Sequence, residues 1–381
     1  MRTFSISLAF ALATSSAFAQ SDTADVSVIE SEQANFTVST LAENLENPWS
    51  MAFLPGGDML ISERAGRLRY YENGTLRETA ITGLPDTMFT ENRGGLLGLA
   101  LHPDFENNRW LYFSFTEGEM SANHAALARA RLTADGTALN DLEILFRVNF
   151  EKERGYHHGG RIIFREDGTL MLTIGEGSIN MVEAQDPQNH MGSIIRLNDD
   201  GSVPFDNPFV STRQAMPEIY SYGHRNPQGM AINPATGSVW AHEHGPRGGD
   251  EINIIEAGLN YGWPAISYGI NYDGSILTEH RTGDGYAQPI WYWVPSIAPS
   301  GMSFYQGEAF PEWQGDVFIG ALAGSMLVRY EVLGDRVISE ETMLEDLGIR
   351  IRDVQTGPDG MIYLLTDDFE GQMLRIEPPA E

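Results

Sequence analysis

The chain of 381 residues contains no cysteine and far fewer basic than acidic side chains. The absence of cysteine excludes disulfide bonds, thiol nucleophiles, zinc–thiolate sites and iron–sulfur clusters. With 24 Lys and Arg residues against 53 Asp and Glu residues, the formal net charge is -29, which argues against a broad surface that binds nucleic acid or an anionic membrane. Glycine is abundant, with 40 residues, and glycine-rich turns favour many short strands over long helices.

The first 19 residues have the pattern of a secretory signal peptide. Arg2 gives a positive start, residues 4–18 are apolar or small, and Ala17-Phe18-Ala19 matches a small-x-small cleavage site. About 15 apolar residues are too few to span a bilayer comfortably, and no other stretch is as long, so we expect no membrane span. We therefore predict export to the periplasm or the exterior, with a flexible polar lead-in over residues 20–35.

A repeated phrase organises the rest of the chain: a short apolar run, a turn of Pro, Asp, Asn and Gly, and a second apolar run. Each copy is typical of a β-hairpin. The six copies begin at Ala52, Ala100, Ile162, Ala231, Phe310 and Thr356. Six such units predict an all-β fold, a six-bladed β-propeller with four antiparallel strands per blade, as one domain over residues 36–381. An irregular β-sandwich is the alternative, but sandwiches of this size rarely repeat one phrase at roughly even spacing.

Two segments that interrupt this turn pattern carry candidate catalytic groups. One pairs His157 with His158 between glycines, and histidine is the natural general base near neutral pH. Another places Arg225 beside Asn226, and together they offer several donors to an oxygen-rich ligand. Either pair could instead be structural, as polar residues near a blade edge or as an arginine paired with an acid.

Two further segments suggest a cation and an anion. Glycine-rich backbone beside the carboxylates of Asp250 and Glu251 favours a hard cation such as calcium, with a solvated acidic turn as the alternative. Arg350 and Arg352 have the period-two spacing that puts both side chains on one face of a strand, about 7 Å apart. Two like charges at that distance favour an anion between them, although Asp or Glu partners would serve equally.

Together these segments resemble the soluble pyrroloquinoline-quinone (PQQ)-dependent sugar dehydrogenases, the glucose/sorbosone dehydrogenase family. The resemblance covers nearly all of the chain after residue 19 and rests on motifs in one order: GLLGLALHPDF, HHGGR, TIGEG, YGHRNPQGMA, HGPRGGDEIN, NYGWP and RIRDV. It implies a six-bladed propeller, PQQ and calcium (Ca²⁺) as cofactors, a sugar or related polyol or aldehyde as substrate, and an external electron acceptor.

The resemblance also implies roles for individual residues. His157 would take the proton of the sugar hydroxyl as a hydride passes to PQQ, and Arg225 and Asn226 would contact the quinone oxygens. The other implied cofactor contacts are Arg93, Ser296, Arg350 and Arg352. The implied calcium ligands are the carbonyl oxygens of Gly245 and Pro246 at the cofactor's ion, and Asp250, Glu251 and Tyr261 at a second, structural ion.

Three positions depart from the family pattern. Arg93 stands where the family has Gln, Ala323 where it has a cofactor-binding Lys, and Tyr156 where the best-known members have an acidic residue before the base. Two other functions stay open: a calcium-dependent, lactonase-like hydrolase, and a propeller that binds a ligand without catalysis. A lactonase needs carboxylates and Asn from several blades to converge on the channel, whereas the Arg-rich set favours an anionic cofactor.

Overall fold

The computed structural model describes residues 27–380 as six β-sheets arranged in a ring. The predicted signal peptide and residues 20–26 of the predicted lead-in lie outside the described residues. One short helix, α1 (Phe105–Asn108), and three 3-10 turns (Met181–Gln185, Pro311–Trp313 and Glu345–Leu347) connect the strands. The strands in chain order are β1 (Thr37–Leu45), β2 (Pro48–Phe53), β3 (Met59–Glu63), β4 (Arg67–Glu72), β5 (Thr75–Leu76), β6 (Leu96–Leu101), β7 (Trp110–Glu119), β8 (Ala122–Leu132), β9 (Leu139–Arg147), β10 (Ile162–Phe164), β11 (Leu170–Thr173), β12 (Ser193–Leu197), β13 (Ile219–Tyr222), β14 (Pro227–Ile232), β15 (Val239–Glu243), β16 (Asp250–Ile255), β17 (Trp291–Trp293), β18 (Pro299–Phe304), β19 (Val317–Ala321), β20 (Met326–Leu333), β21 (Arg336–Met343), β22 (Ile351–Thr356), β23 (Ile362–Thr366) and β24 (Gly371–Glu377).

Each sheet is one blade of four antiparallel strands. Five blades take their strands consecutively from the chain, as β2–β5, β6–β9, β10–β13, β14–β17 and β18–β21. The sixth blade combines β22, β23 and β24 with β1, which pairs with β24. The first and last strands therefore close the ring. The predicted six-bladed β-propeller is confirmed.

Five of the six copies of the repeated phrase join the first two strands of a blade, as predicted. The copy that begins at Phe310 differs, because Pro311–Trp313 forms a 3-10 turn. The first strand of that blade is instead β18, which ends at Phe304. At the turn of the first copy Gly57 has a φ of 97°, a conformation that glycine adopts without steric penalty.

Apolar residues of neighbouring blades pack into shared clusters. One cluster joins Leu60 and Leu68 of the first blade to Leu111 and Phe113 of the second, and all four side chains are fully buried. Burying a Leu or Phe side chain contributes about 1.5–3 kcal/mol to stability. Each blade is therefore stabilised mainly by its neighbours in the ring.

Residues 27–35, the described part of the predicted lead-in, lie against the last two blades. Ile29 pairs with Phe36 through backbone hydrogen bonds of 2.8 and 3.0 Å, and the amide of Glu32 donates to the carboxylate of Glu341 at 2.6 Å. This part of the segment is therefore held to the propeller. Within residues 27–380 no helix has the length and apolar character needed to cross a membrane.

The first strands of the blades surround the central axis. Each of β2, β6, β10, β14, β18 and β22 contacts the first strand of the next blade. Because the second strand of each blade runs antiparallel to the first, the residues before a first strand and after a second strand come to the same end of the ring.

Candidate active site

A cavity of about 380 Å³ opens at this end of the ring, and all six blades contribute to its wall. None of the residues in the wall is Asp or Glu. Every residue predicted as base or cofactor contact lines this one cavity, except Ser296. The wall consists of Trp49, Arg64, Arg93, Leu97, Tyr156, His157, His158, Gly159, Ser178, Arg225, Asn226, Gln228, His244, Tyr272, Ala298, Leu322, Arg350 and Arg352.

His157 lies before β10, and a buried carboxylate holds its imidazole. Nδ1 of His157 is 2.8 Å from Oε1 of Glu176, whose side chain is 1% exposed. Burial lowers the pKa of His157. The hydrogen bond to Glu176 raises this pKa, and the positive charge of Arg225 lowers it further. The neutral ring that satisfies this contact donates Nδ1–H to Glu176 and leaves Nε2 able to accept a proton.

Arg225 and Asn226 immediately precede β14, and the backbone around them fixes both side chains. Nη1 of Arg225 donates to the carbonyl oxygens of His244, at 3.0 Å, and Gly245, at 2.8 Å. Oδ1 of Asn226 accepts from the amide of Gly159 at 3.3 Å and from Gln228 at 3.2 Å. Both residues are buried, so they present donors to the cavity in a defined orientation.

Arg350 and Arg352 share one buried carboxylate. Asp367, just after β23, accepts from Nη2 of Arg350 at 2.8 Å and from Nη2 of Arg352 at 3.1 Å. Burial raises the pKa of Asp367, but the charges of Arg352 and Arg350 lower it by more, so the net shift is downward. The anion that the sequence interpretation placed between the two arginines is thus supplied, at least in part, by the protein itself.

Arg64 is a site residue that the sequence interpretation missed. It follows β3 and donates from Nη2 to Oδ1 of Asn47 at 3.0 Å. Within residues 27–380 neither Arg64 nor Arg93 forms an ion pair with a carboxylate. Burial, followed by the charge of nearby Arg352, lowers the pKa of Arg64 to about 10. Four arginines thus face one end of the cavity with only Asp367 to balance them.

Ser296 is the predicted cofactor contact that is not among the cavity-lining residues. Its hydroxyl donates to the carboxylate of Asp250 at 2.7 and 2.9 Å. The same carboxylate accepts from the backbone amides of Gly245, Ile297 and Ala298 at 2.7 to 2.9 Å. Asp250 is buried, and these hydrogen bonds join the loop that holds Gly245 to the loop that holds Ser296.

A second, small pocket of about 10 Å³ lies beside the cavity and is bounded by Glu243, Gly245, Glu251 and Tyr261, among others. Glu243 and Glu251 are directly opposite in the β15–β16 register, and desolvation and the charge of Glu243 raise the pKa of Glu251. Within residues 27–380 neither carboxylate forms an ion pair with Lys or Arg, and Oε1 of Glu243 lies 2.9 Å from Nδ1 of His224. Residues 27–380 contain no cluster of three or more His, Cys, Asp or Glu side chains fit to hold a metal.

The remaining predicted calcium ligands differ in their freedom to bind. The hydroxyl of Tyr261 donates to the carbonyl of Ile254 and accepts from the amide of Glu256, so it does not face the pocket as a free ligand. The carbonyl of Gly245 accepts from Arg225 at 2.8 Å and keeps a second lone pair. Pro246 is buried and lines neither pocket.

The residues missed by the sequence interpretation share a position in the blades. Arg64, Glu176, His244 and Asp367 each follow the second strand of a blade, within three residues of its end. Arg64 directly follows a repeated phrase and the other three are the last residues of theirs, so a search for polar residues at this point of each phrase would have found them. Trp49 and Gln228 were missed because they lie inside first strands, where period-two patterning alone does not indicate a site.

The sequence profile of the Glucose / Sorbosone dehydrogenase family matches residues 45–375. The chain therefore belongs to the glucose/sorbosone dehydrogenase family. It is 43% identical over 350 residues to the aldose sugar dehydrogenase of Escherichia coli strain K12, covering 91% of this chain and 94% of the relative.

Solved structures of this family superpose on the propeller. The apo form of the soluble aldose sugar dehydrogenase of Escherichia coli matches with a TM-score of 0.87 and 42% identity, over 90% of this chain and 100% of the other. The PQQ-bound aldose sugar dehydrogenase of Streptomyces coelicolor matches with a TM-score of 0.74 and 30% identity, over 90% and 98%. Within this glucose/sorbosone dehydrogenase fold, Ala323 is exposed and the neighbouring Leu322 lines the cavity instead.

Proposed function

We propose that this member of the glucose/sorbosone dehydrogenase family is a PQQ- and calcium-dependent dehydrogenase that oxidises an aldose or a related polyol or aldehyde. The observation that carries the proposal is the cavity itself: a neutral imidazole lies in the same wall as an excess of arginine. The base matches removal of a hydroxyl proton, and the arginines match an anionic cofactor.

The charge balance of the cavity supports a tricarboxylate ligand. Five arginines line the wall, and the buried carboxylates of Asp367 and Glu176 offset two of them. About three positive charges are then left for a ligand, and PQQ carries three carboxylates. The residues that would hold these carboxylates are Arg64, Arg93, Arg350 and Arg352. Arg64 and Arg93 would supply the positive charge that the family's lysine provides at the position of Ala323.

The chemistry of the small pocket supports calcium rather than a softer metal. Its acidic donors, Glu243 and Glu251, are oxygen ligands, and calcium takes carboxylate and carbonyl oxygens together. The chain has no cysteine and the pocket wall contains one histidine, His244, whose Nε2 contacts the carbonyl of Pro299 at 2.8 Å. Carbonyl oxygens of Gly245 and Pro246 would serve a second ion beside the cofactor.

The reaction follows from what these side chains can do. PQQ, when bound, supplies the quinone that accepts a hydride, and calcium supplies a Lewis acid beside it. Nε2 of His157 takes the hydroxyl proton of the substrate as the carbon loses its hydride, a two-electron oxidation. Glu176 holds the ring in the required tautomer, and the guanidinium of Arg225 stabilises negative charge on a neighbouring oxygen. The electrons then leave to an external acceptor, since a chain without cysteine has no Cys-x-x-Cys-His haem motif.

The lactonase-like alternative is less well supported by the cavity. A calcium-dependent hydrolase on this fold needs carboxylates that converge on the channel, and no Asp or Glu is among the residues of the wall. The proposal of export to the periplasm or the exterior rests on the predicted signal peptide alone.

The test is reconstitution of the chain from residue 20 onward with PQQ and calcium. We expect tight PQQ binding by absorbance titration and sugar-dependent reduction of an artificial dye across a panel of aldoses. Binding of PQQ without dye reduction would favour the non-catalytic propeller. Neither binding nor reduction, with calcium-dependent hydrolysis of lactones instead, would replace the proposal by the hydrolase.

A further inference from the structure

Lys152 is the only lysine in the chain; the other 23 of the 24 Lys and Arg residues are arginines. It is 4% exposed, although lysine is almost never buried without a partner. Within residues 27–380 no carboxylate oxygen pairs with its ammonium group. A single lysine in an arginine-rich chain, placed where a charge is costly to bury, calls for a physical explanation.

The ammonium group of Lys152 ties together the segment that carries His157. Nζ donates to Oδ1 of Asn123 at 3.1 Å and to the carbonyl oxygen of Tyr156 at 2.7 Å, and it lies 3.0 Å from Nδ1 of His158. The backbone of Lys152 pairs with that of Asn123 through two hydrogen bonds of 2.9 Å.

The carbonyl that Lys152 holds belongs to the peptide that leads into His157. His157 has a φ of 48°, a left-handed conformation that costs free energy for a residue other than glycine. The hydrogen bond to Tyr156 therefore stabilises a backbone turn that the protein must maintain to aim the imidazole into the cavity.

The charge of Lys152 also acts on that imidazole. The charged and titratable groups that face His157 are Glu176, Arg225, Lys152 and His158. Burial lowers the pKa of Lys152 to about 7, with Glu176 opposing, and the positive charge of Lys152 lowers the pKa of His157 after larger effects of burial, Glu176 and Arg225.

We propose that Lys152 is a positioning residue for His157: its ammonium group holds the Tyr156–His157 peptide in place and supplies a positive charge close to the imidazole. The role in turnover rests on the proposed function. The coupling between the two side chains is a property of the chain itself.

The first test uses the cofactor-free chain. Because there is one lysine, isotopically labelled lysine gives a single Nζ signal by NMR, and His157→Gln identifies the ring signals of His157. We expect the lysine to titrate near neutral pH, and Lys152→Met to move the His157 midpoint to higher pH. Lys152→Arg, which keeps the charge, should leave that midpoint near the wild-type position. An unchanged His157 midpoint in folded Lys152→Met overturns the proposal.

The second test uses turnover. In Lys152→Met the acid limb of the kcat/KM profile should move to higher pH, so that the ratio of kcat/KM at about pH 8 to that at about pH 6 rises several-fold. Lys152→Arg should keep the wild-type ratio. A purely structural role would lower kcat/KM equally at both pH values, and that result would overturn the proposal.

A third variant covers the case in which Lys152→Met does not fold. Asn123→Asp places a carboxylate on Nζ of Lys152 and should likewise raise the His157 midpoint; an unchanged midpoint in folded protein overturns the proposal. A wild-type chain that neither binds PQQ nor oxidises sugar, but keeps the coupling, rejects the proposed function alone. A wild-type chain that oxidises sugar while His157 is insensitive to Lys152 rejects the present inference alone.

Discussion

Nδ1 of His157 lies 2.8 Å from the carboxylate of Glu176, and the second oxygen of that carboxylate is buried without a partner in residues 27–380. Because the oxygen of a carboxylate accepts hydrogen bonds, this contact places the proton of the imidazole on Nδ1. The cavity receives the other nitrogen, which is the arrangement that a general base requires.

Glu176→Gln tests this arrangement. The amide can donate to Nδ1, which would place the ring proton on Nε2 and leave no acceptor for the substrate proton. We expect kcat to fall by about 10²- to 10⁴-fold while PQQ affinity stays close to wild type. Dye-reduction kinetics and absorbance titration measure the two effects, with the exposed Glu166→Gln as control. Unchanged kcat would mean that Glu176 does not orient the base.

Arg64→Ala tests the cofactor contact that was found only in the structure. Loss of a charge-assisted hydrogen bond costs about 1.5–3 kcal/mol, so we expect the Kd for PQQ to rise by about 10- to 100-fold. Arg213→Ala, an exposed arginine outside the cavity, should bind PQQ like the wild type. Equal affinity in both variants would remove Arg64 from the binding site.

Asp367→Asn should lower stability in a pH-dependent way. Because the arginines depress the folded-state pKa of Asp367, its stabilisation is present above the unfolded pKa of about 3.9 and is lost as pH falls through the folded value. We expect a deficit of about 3 kcal/mol at neutral pH that shrinks in strong acid. Urea unfolding at several pH values measures it, with exposed Asp86→Asn for comparison. A deficit that is constant with pH would contradict the charge-based explanation.

Glu251→Gln tests whether the two opposed carboxylates destabilise the protein without calcium and bind calcium when it is present. Without calcium, removal of one of two like charges should leave stability equal to or above wild type. With calcium, the wild-type Tm should rise more than that of the variant, since binding to the folded state alone stabilises it and the variant keeps only the ion proposed at Gly245 and Pro246. Thermal unfolding with calcium and with a chelator provides the comparison, and exposed Glu78→Gln should respond like wild type. A calcium response in Glu251→Gln equal to that of wild type would exclude this site.

Local chemistry in the sequence was sufficient for the fold. Hairpin turns depend on a few adjacent residues, so five of the six copies of the phrase, including the one around Gly57, predicted a pair of strands correctly. The fifth blade was the exception, because the apolar run at Phe310 packs as a 3-10 turn against a strand that ends at Phe304. The neighbouring strands, and not the apolar run itself, decide which of two apolar runs becomes the first strand of a blade.

The sequence by itself determined the blade count and the family motifs. All of the base and cofactor contacts that it predicted, except Ser296, line the cavity. Only the tertiary structure decided which charges meet. It paired Asp367 with two arginines, left Arg64 without a carboxylate, turned Ser296 toward Asp250, and buried Lys152 behind His157. These contacts join strand ends of different blades or segments distant in sequence, and their distances depend on ring closure and strand register, which no local pattern of residues encodes.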